Sequence, residues 1–236
     1  MAEVGNTVVP DVANIVTICN TGTIATVSYG TAIGVMYKAH ELGSVVFLFC
    51  FVQEESLHVF VQETRPRFQG AKLTAWELSK AKIPLHLIVD SASGILFYKS
   101  RANLVLFGAD RVALNGDVAN KIGTMNLAVL AHSHNVPVYA VVPTSTIDLT
   151  IESGHDIQIE SRDSSEVTHI NGVRIAADDI DVYNPAFDIT ESKWLTGIIT
   201  EEGICYPPYA TSLRAVKEQA EQRILHARLS RWKSYQ

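Results

Sequence analysis

Short apolar runs alternate with amphipathic segments over residues 14–142 of the chain. The runs are rich in Val, Ile and Leu and are apolar at nearly every position, which is typical of strands buried on both faces of a parallel sheet. The pattern predicts strands at residues 14–18, 57–61, 85–89, 104–107 and 136–142. Between and after these strands it predicts helices at residues 25–42, 71–82, 92–98 and 118–132.

This alternation predicts an α/β fold, with a Rossmann-like, doubly wound and mainly parallel sheet flanked by helices. In the strand order 3-2-1-4-5 of such a sheet, strands one and four are neighbours. Their carboxyl ends then border the crevice in which ligands bind.

Beyond Pro143 the alternation is less regular. Asn171-Gly172 predicts a β-hairpin. Residues 217–233 are charged and helix-prone, and we see no apolar stripe wide enough for the core. We therefore expect one domain over residues 1–212 and a charged helical tail over residues 213–236.

Composition narrows the choice of function. A chain of 236 residues with 47% hydrophobic residues fits one large domain with a real core. The net charge of −6 gives no support to nucleic-acid or anionic-membrane binding. The longest apolar run, residues 45–52, is far shorter than the roughly 20 residues of a spanning helix. Three cysteines without C-x-x-C spacing indicate a reducing compartment rather than disulfides or zinc.

Two turns that follow predicted strands carry side chains suited to chemistry. Cys19-Asn20-Thr21-Gly22 follows strand one and precedes a helix, whose N-terminus would bind phosphate and lower the pKa of the thiol. A buried structural cysteine before a capping turn is an equal alternative. Residues 108–124 follow strand four and contain Asp110 and the pair Asn120-Lys121. Asp110 is expected to face the same crevice as Cys19, although a surface ion pair with Arg111 is the alternative.

Other candidate sites are weaker. Residues 63–70 follow strand two and include two arginines, Gln69 and Gly70, a set that alone indicates only a weak phosphate site. His132 and His134 lie at a predicted helix end, where interaction with the helix dipole or solvent is favoured over a metal site. The sequence contains no G-x-G-x-x-G, Walker or G-x-S-x-G motif, so dinucleotide, nucleotide-triphosphate and serine-hydrolase functions lack support.

Four segments in order closely resemble the methylthioribose-1-phosphate isomerases: residues 19–22, 63–78, 108–124 and 183–188. That family shares a superfamily with the regulatory subunits of translation initiation factor 2B and with ribose-1,5-bisphosphate isomerase. The resemblance covers residues 12–205, and the sequences Gly-Ala-Asp-Arg and Glu-Thr-Arg-Pro-Arg-Phe-Gln-Gly favour the isomerase branch.

The resemblance implies an aldose-ketose isomerase of methionine salvage that converts 5-methylthioribose-1-phosphate to 5-methylthioribulose-1-phosphate. Cys19 and Asp110 would be the catalytic pair, and Gln69, Asn120 and Lys121 would bind the sugar-phosphate substrate. It implies no metal and no organic cofactor. It also implies a homodimer in the cytoplasm, with the nucleus as a second location.

The chain departs from the family in two respects. The family's helical N-terminal domain and its Arg-Gly-Ala loop have no counterpart in this sequence, and residues 44–56 are interpreted as an insertion. Two hypotheses follow. The chain is an isomerase that is truncated or completed by another segment, or it is a non-catalytic module like the initiation factor 2B regulatory subunits. A relative of ribose-1,5-bisphosphate isomerase is a further alternative.

Overall fold

The structure is a computed structural model that describes residues 1–26, 29–50 and 56–233. The strands in chain order are β1 (Ala13–Thr17), β2 (Leu57–Gln62), β3 (Leu85–Ile88), β4 (Leu104–Phe107), β5 (Arg111–Ala113), β6 (Val118–Lys121), β7 (Val138–Val141), β8 (Ile147–Asp148), β9 (His169–Ile170), β10 (Val173–Arg174), β11 (Phe187–Thr190), β12 (Gly197–Ile199) and β13 (Ile204–Cys205).

The α-helices are α1 (Ala2–Asn6), α2 (Thr23–Thr26), α3 (Ala32–Cys50), α4 (Ala75–Lys80), α5 (Ser93–Tyr98), α6 (Thr124–Ser133), α7 (Ser165–Thr168) and α8 (Tyr209–Lys233). A π-helical turn, Gly70–Thr74, leads directly into α4. Single 3-10 turns occupy Asp90–Ala92, Thr144–Thr146, Gly154–Asp156 and Ser192–Trp194. Within the described ranges, no helix has both the length and the hydropathy that crossing a membrane requires.

A seven-stranded sheet forms the centre of the molecule in the order β13-β12-β7-β4-β1-β2-β3. All neighbouring pairs are parallel except β12 with β13. The expected order of the first five strands is confirmed, with β7 as the fifth. The α/β fold with a mainly parallel sheet flanked by helices is therefore confirmed as well.

Each face of this sheet is covered by its own apolar core, because successive side chains of a strand point to opposite faces. Leu104 and Leu106 of β4 pack with α3 and α4 on one face. Val105 and Phe107 pack on the other face with α5, α6 and α8. Burial on both faces explains why the strand sequences are apolar at nearly every position.

A second, four-stranded sheet in the order β11-β6-β5-β8 corrects one prediction. The expected helix over residues 118–132 begins only at Thr124, because residues 118–121 are strand β6 and pair with β5 and β11. Asn115-Gly116 forms the turn between β5 and β6, with Gly116 at φ 88°. Asn120 and Lys121 thus lie on a buried strand and not at the start of a helix.

Other elements differ from expectation in smaller ways. The predicted helix 25–42 is two helices, α2 and α3, and α3 continues through Gly43 to Cys50. Residues 44–50 of the interpreted insertion are therefore backbone of α3, and residues 51–55 lie outside the described residues. The Asn171-Gly172 hairpin is confirmed by the pairing of β9 with β10.

The C-terminal helix α8 joins the core over its first half. Tyr209, Leu213 and Val216 belong to the core on the α6 face of the sheet. Their spacing of three or four residues forms an apolar stripe. These three residues precede residues 217–233, over which no such stripe is predicted, and Ile224, Leu225 and Leu229 within that range are exposed.

Candidate functional site

Two loops meet where neighbouring strands β1 and β4 end. The strands are parallel and pair through Ile15 and Leu104, so their carboxyl ends lie at the same edge of the sheet. Cys19 follows the end of β1, and Asp110 follows the end of β4. The position is the switch point of the sheet, where α/β proteins bind their ligands.

The loop after β1 holds Cys19 in an unusual backbone conformation. Cys19 has φ 65°, in the left-handed region that side chains other than glycine rarely adopt. Its backbone N–H donates to Thr64 Oγ1 at 2.9 Å, and its carbonyl accepts from Thr74 Oγ1 at 2.5 Å. Hydrogen bonds from the loop after β2 and from the following helical turn therefore fix the position of the thiol.

Thr64 is itself fixed. Its φ is also 65°, and its N–H donates to Asp90 Oδ1 at 2.7 Å. The other oxygen of Asp90 accepts from Arg65 N at 2.7 Å. Asp90 therefore orders the loop that supports Cys19, a role that sequence reasoning missed.

A buried carboxylate orders the remainder of the Cys19 loop. Glu77 of α4 accepts from Asn20 Nδ2 at 2.9 Å and from Thr23 N at 2.8 Å. Thr23 is the first residue of α2, and Glu77 is the partner of this N–H at the start of the helix. Glu77 is 5% exposed, and Gly22 is required beside it, because a Cβ there would lie 2.4 Å from the carboxylate oxygens.

Asp110 lies at the mouth of a cleft next to the β5–β6 hairpin. Its N–H donates to Ala119 O at 2.9 Å, which attaches the loop after β4 to β6. The cleft has a volume of about 440 Å³. It is lined by Asp110, Arg111, Ala119, Ile151, Asp156, Ile157, Gln158, Ile159 and Phe187. Asp110 thus borders a space in which a small molecule fits.

Cys19, Asp110 and Lys121 influence one another's charge. Burial raises the pKa of Cys19, while Lys121 lowers it and Asp110 raises it further. Burial likewise raises the pKa of Asp110, and Lys121 lowers it. The structure therefore brings these three predicted site residues together, but the expectation of a thiol with a lowered pKa is wrong, because desolvation of the thiolate outweighs the opposing effects.

Lys121 is a buried cation, 7% exposed. Its Nζ donates to Ala186 O at 3.0 Å and lies 4.3 Å from the centre of the Phe187 ring. The carbonyl and the ring face satisfy the ammonium group without neutralising it. Among the described residues, no carboxylate forms a salt bridge with Lys121, so the site suits an anionic group of a ligand.

Asn120 is 3% exposed and donates from Nδ2 to Thr124 Oγ1 at 2.9 Å. Thr124 in turn donates to Lys121 O at 2.6 Å. Asn120 is therefore attached to the first turn of α6. No recorded contact joins its side chain to Cys19 or Asp110 among the described residues.

Gln69 immediately precedes the π-helical turn and lies on the loop that also contains Thr64. Its Oε1 is buried, yet it accepts no hydrogen bond from any residue that the structure describes. A buried acceptor without a partner is costly in a protein interior. A hydroxyl or amine of a bound ligand would satisfy it.

Asp188 on β11 is a second group that sequence reasoning missed. Its Oδ2 accepts from Gly123 N at 2.7 Å and its Oδ1 from Met125 N at 3.1 Å, so it caps the N-terminus of α6. Burial raises the pKa of Asp188 to about 6, although the hydrogen bonds from Met125 and Gly123 oppose that shift. Residues 183–188 are among the segments that resemble the isomerases, but the capping role of Asp188 depends on the pairing of β11 with β6, which the sequence does not show.

We expect Asp188 to make the protein less stable as the pH rises from about 4 to about 6. The carboxyl ionises near pH 3.8 when unfolded and near 6 when folded, so the folded state binds the proton more tightly in this window. The contribution of Asp188 to the free energy of unfolding is fully present below pH 3.8 and is lost as the pH rises through about 6. Asp188→Asn should flatten this part of the profile of the free energy of unfolding, measured in urea.

Asp163→Asn serves as the control for that measurement. Hydrogen bonds from Ser165 lower the pKa of Asp163, so its contribution to stability changes with pH in the opposite direction. An Asp188→Asn profile that overlays the wild-type profile between pH 4 and 6 would contradict the assignment.

His132 and His134 make aromatic contacts. The ring of His132 lies 5.2 Å from Trp194 in an edge-on arrangement, and His134 lies 6.3 Å from Phe97. Over the described ranges, no group of three or more His, Cys, Asp or Glu side chains has an arrangement that could hold a metal ion.

Comparison with known families bears on this site. The model of the initiation factor 2 subunit family matches residues 1–207 of the chain. The chain belongs to the initiation factor 2 subunit family. The match includes both strand ends and the β5–β6 hairpin, so the candidate site lies within the part shared with the family.

Relatives in the initiation factor 2 subunit family carry two kinds of name. A methylthioribose-1-phosphate isomerase of Thermoanaerobacter sp. (strain X514) is 54% identical over 217 residues, which are 92% of this chain and 60% of that protein. The crystal structure of 5-methylthioribose 1-phosphate isomerase from Pyrococcus horikoshii OT3 is 43% identical with a TM-score of 0.83, covering 92% of this chain and 57% of that one. Subunit delta of the translation initiation factor eIF-2B from A. fulgidus is 39% identical with a TM-score of 0.84, covering 92% and 60%. The chain spans 60% or less of the length of these three family members.

Proposed function

We propose that the chain is the catalytic part of a methylthioribose-1-phosphate isomerase. The observation that carries the proposal is the placement of Cys19 and Asp110 after the ends of neighbouring strands β1 and β4, with Lys121 near enough to lower the pKa of both. Its support is the 54% identity to a protein of that name. Because the chain spans 60% of that relative, the activity requires a test on this chain itself.

The residues suit the chemistry. Ring opening breaks the C1–O4 bond of the furanose and delivers a proton to the ring oxygen. A hydrogen then moves from C2 to C1 while the C2 hydroxyl loses its proton, so an acid and a base are both needed. Asp110 acts as general acid/base, and the half-buried thiol of Cys19, whose pKa is raised, shuttles a proton or stabilises the developing oxyanion. The hydrogen moves either as a proton through a cis-enediol or as a hydride.

Binding of the substrate would use both polar and apolar groups. Lys121 supplies a cation for the phosphate, and Gln69 Oε1 is a buried acceptor for a sugar hydroxyl. The cleft beside Asp110 is partly walled by Ile151, Ile157, Ile159 and Phe187. A methylthio group is apolar and small and suits this part of the wall, whereas Arg111 and Gln158 in the same lining suit polar groups.

The direct test is conversion of methylthioribose-1-phosphate by this chain, followed by ¹³C NMR. We expect a ketone carbon at C2 to appear with the wild-type protein and to be lost with Cys19→Ser. Ribose-1,5-bisphosphate serves as the competing substrate. Faster turnover of this compound would favour the alternative that the chain is a relative of ribose-1,5-bisphosphate isomerase. If neither ketose product forms above the level seen with Cys19→Ser, isomerase activity is refuted for this chain.

A second candidate is a non-catalytic module like the initiation factor 2B subunits. It is favoured by the 39% identity and TM-score of 0.84 to the A. fulgidus protein named as subunit delta. If this is correct, the chain forms a stable complex with initiation-factor subunits in gel filtration and does not turn over the sugar phosphate. Turnover without such a complex would exclude it.

We also propose that two copies associate through the β3 edge of the sheet, in a cytoplasmic setting where Cys19 stays a free thiol. β3 is an edge strand of the sheet; Leu87 on β3 and Val89 directly after it are 50% and 54% exposed. Ile95 and Tyr98 of the nearby sequence on α5 are 48% and 74% exposed. An open strand edge with exposed apolar side chains favours association.

Leu87→Asp is therefore expected to shift the protein from dimer toward monomer in sedimentation velocity, because it places a charge in an apolar contact. Leu225→Asp is the matched control, since Leu225 is 56% exposed on α8, which contacts β13 at the opposite edge of the sheet. Equal effects of the two substitutions, or a monomeric wild-type protein, would contradict the proposed interface.

A further inference from the structure

Asn120 and Lys121 depend on groups outside β6 for their positions. Lys121 Nζ and the N–H of Ile122 both donate to Ala186 O, at 3.0 and 3.1 Å. Asn120 is held by Thr124 at the start of α6. The Asn120 side chain thus depends on the first turn of α6, and the Lys121 side chain depends on Ala186, directly before β11.

That turn contains a flexible residue. Gly123 has φ 100° and forms the N-cap of α6, and having no side chain it cannot cap the helix itself. Asp188 provides the missing cap from β11, whose register places Asp188 opposite Asn120 and Phe187 opposite Lys121. The Asp188 carboxylate therefore spans the turn that directly follows Asn120 and Lys121.

The two hydrogen bonds of Asp188 lie on either side of Thr124. The bonds go to Gly123 N and Met125 N, the residues immediately before and after it. Thr124 is 0% exposed, and its hydroxyl joins the Asn120 side chain to the Lys121 carbonyl. Fixing Gly123 and Met125 consequently fixes the hydroxyl that binds the Asn120 side chain and the backbone carbonyl of Lys121.

We infer that Asp188 is a positioning residue that sets Asn120 and Lys121 for the substrate through the first turn of α6. The inference rests on the proposed function for the substrate, whereas the placement of Lys121 is testable without turnover. A carboxylate suits the task because it accepts two N–H groups at once and carries a negative charge at the positive end of a ten-residue helix. Asp188 does not need to touch the substrate.

Steady-state kinetics of Asp188→Asn is the first measurement. An amide has one acceptor oxygen, so one of the two N–H groups loses its partner and the turn loosens. We expect KM to rise roughly tenfold, with a smaller change in kcat. Asp117→Asn is the matched control, because Asp117 is also buried and accepts from Ser192 N and Gly154 N, neither of which belongs to the first turn of α6. Asp117→Asn should lower stability and leave KM within about twofold of the wild-type value.

The pH dependence of Cys19 alkylation is the second measurement, and it needs no activity. Lys121 lowers the pKa of Cys19, so a displaced Lys121 should move the alkylation midpoint to higher pH. Iodoacetamide labelling of the Cys19 peptide, followed by mass spectrometry, reports this midpoint. We expect an upward shift in Asp188→Asn, none in Asp117→Asn, and an intermediate value in Asp188→Glu, which keeps both acceptor oxygens and the charge.

The outcomes separate the two proposals. If the wild-type chain shows no turnover but Asp188→Asn shifts the thiol titration, the isomerase proposal fails and the positioning role holds. If Asp188→Asn is folded by its melting curve and its thiol titration overlays that of the wild type, the positioning role is overturned. Should Asp188→Asn not fold, the same comparison is made with Asp188→Glu.

Discussion

Asp110→Asn is expected to lower turnover of methylthioribose-1-phosphate by about 10² to 10⁴-fold, the usual contribution of a general acid/base. The amide keeps the size of the carboxyl but neither takes nor gives a proton at neutral pH. The carboxyl of Asp110 is only partly desolvated beside the cleft, and the hydrogen bond that fixes its loop comes from its backbone N–H to Ala119 O. The fold should therefore be unaffected, and the melting temperature should remain within a few degrees of the wild-type value.

Asp156→Asn is the matched control because Asp156 is an exposed carboxylate that lines the same cleft. It should lose much less activity, although its hydrogen bond to Ser153 is weakened. Equal losses in the two variants would mean that the charge of the cleft, and not proton transfer by Asp110, is responsible. Full activity in Asp110→Asn would remove Asp110 from the mechanism.

Gly70→Ala is expected to destabilise the protein by about 3 kcal/mol or more, at the upper end of overpacking substitutions. A Cβ on Gly70 would lie 1.8 Å from Gln62 O and 2.9 Å from Thr64 Oγ1. Gln62 ends strand β2, and Thr64 accepts the hydrogen bond from Cys19 N. The substitution would thus separate the π-helical turn from β2 and displace the support of the thiol at the same time.

Urea unfolding of Gly70→Ala and Gly94→Ala side by side tests this. Gly94 lies in helix α5, and a Cβ there would meet only Leu130 Cδ1 at an ordinary 3.9 Å. Alanine is the better helix former by about 1 kcal/mol, so Gly94→Ala should be neutral or stabilising. Similar midpoints for Gly70→Ala and the wild type would show that the turn can move away from β2 at little cost.

The main sheet was predictable because most of its strands are buried and therefore appear in the sequence as short apolar runs. A strand covered on both faces must be apolar throughout, and β4 is the clearest example, with Leu104 to Phe107 all fully buried. The order of the first five strands then follows from the limited ways in which such units wind. Boundaries were less predictable where helices continue through glycine, as α3 does at Gly43.

The β5–β6 hairpin was missed although a signal for it was present. Asn115-Gly116 is a strong hairpin dipeptide, but the strands beside it are only three and four residues long. The apolar residues of β6 and α6 together follow a spacing that resembles that of a single helix. The left-handed Gly123, at φ 100°, is where that pattern divides.

Parts of the candidate site were predictable and parts were not, for a physical reason. Cys19 and Asp110 follow neighbouring strand ends, so topology alone places them at one crevice. The groups that hold them are backbone carbonyls and caps from distant segments, such as Ala186 O and the carboxylates of Glu77 and Asp188. Such partners carry no sequence pattern of their own, because any segment can offer a carbonyl and any carboxylate can cap a loop.

Under the proposed function, the left-handed backbone at Cys19 sets stability and chemistry against each other at one position. A side chain at φ 65° costs about 1–2 kcal/mol that glycine would not incur. Selection for heat resistance alone would therefore replace this thiol with glycine before it altered the surrounding network. Any programme of thermostabilisation on this scaffold has to hold position 19 constant, or screen for turnover at every round.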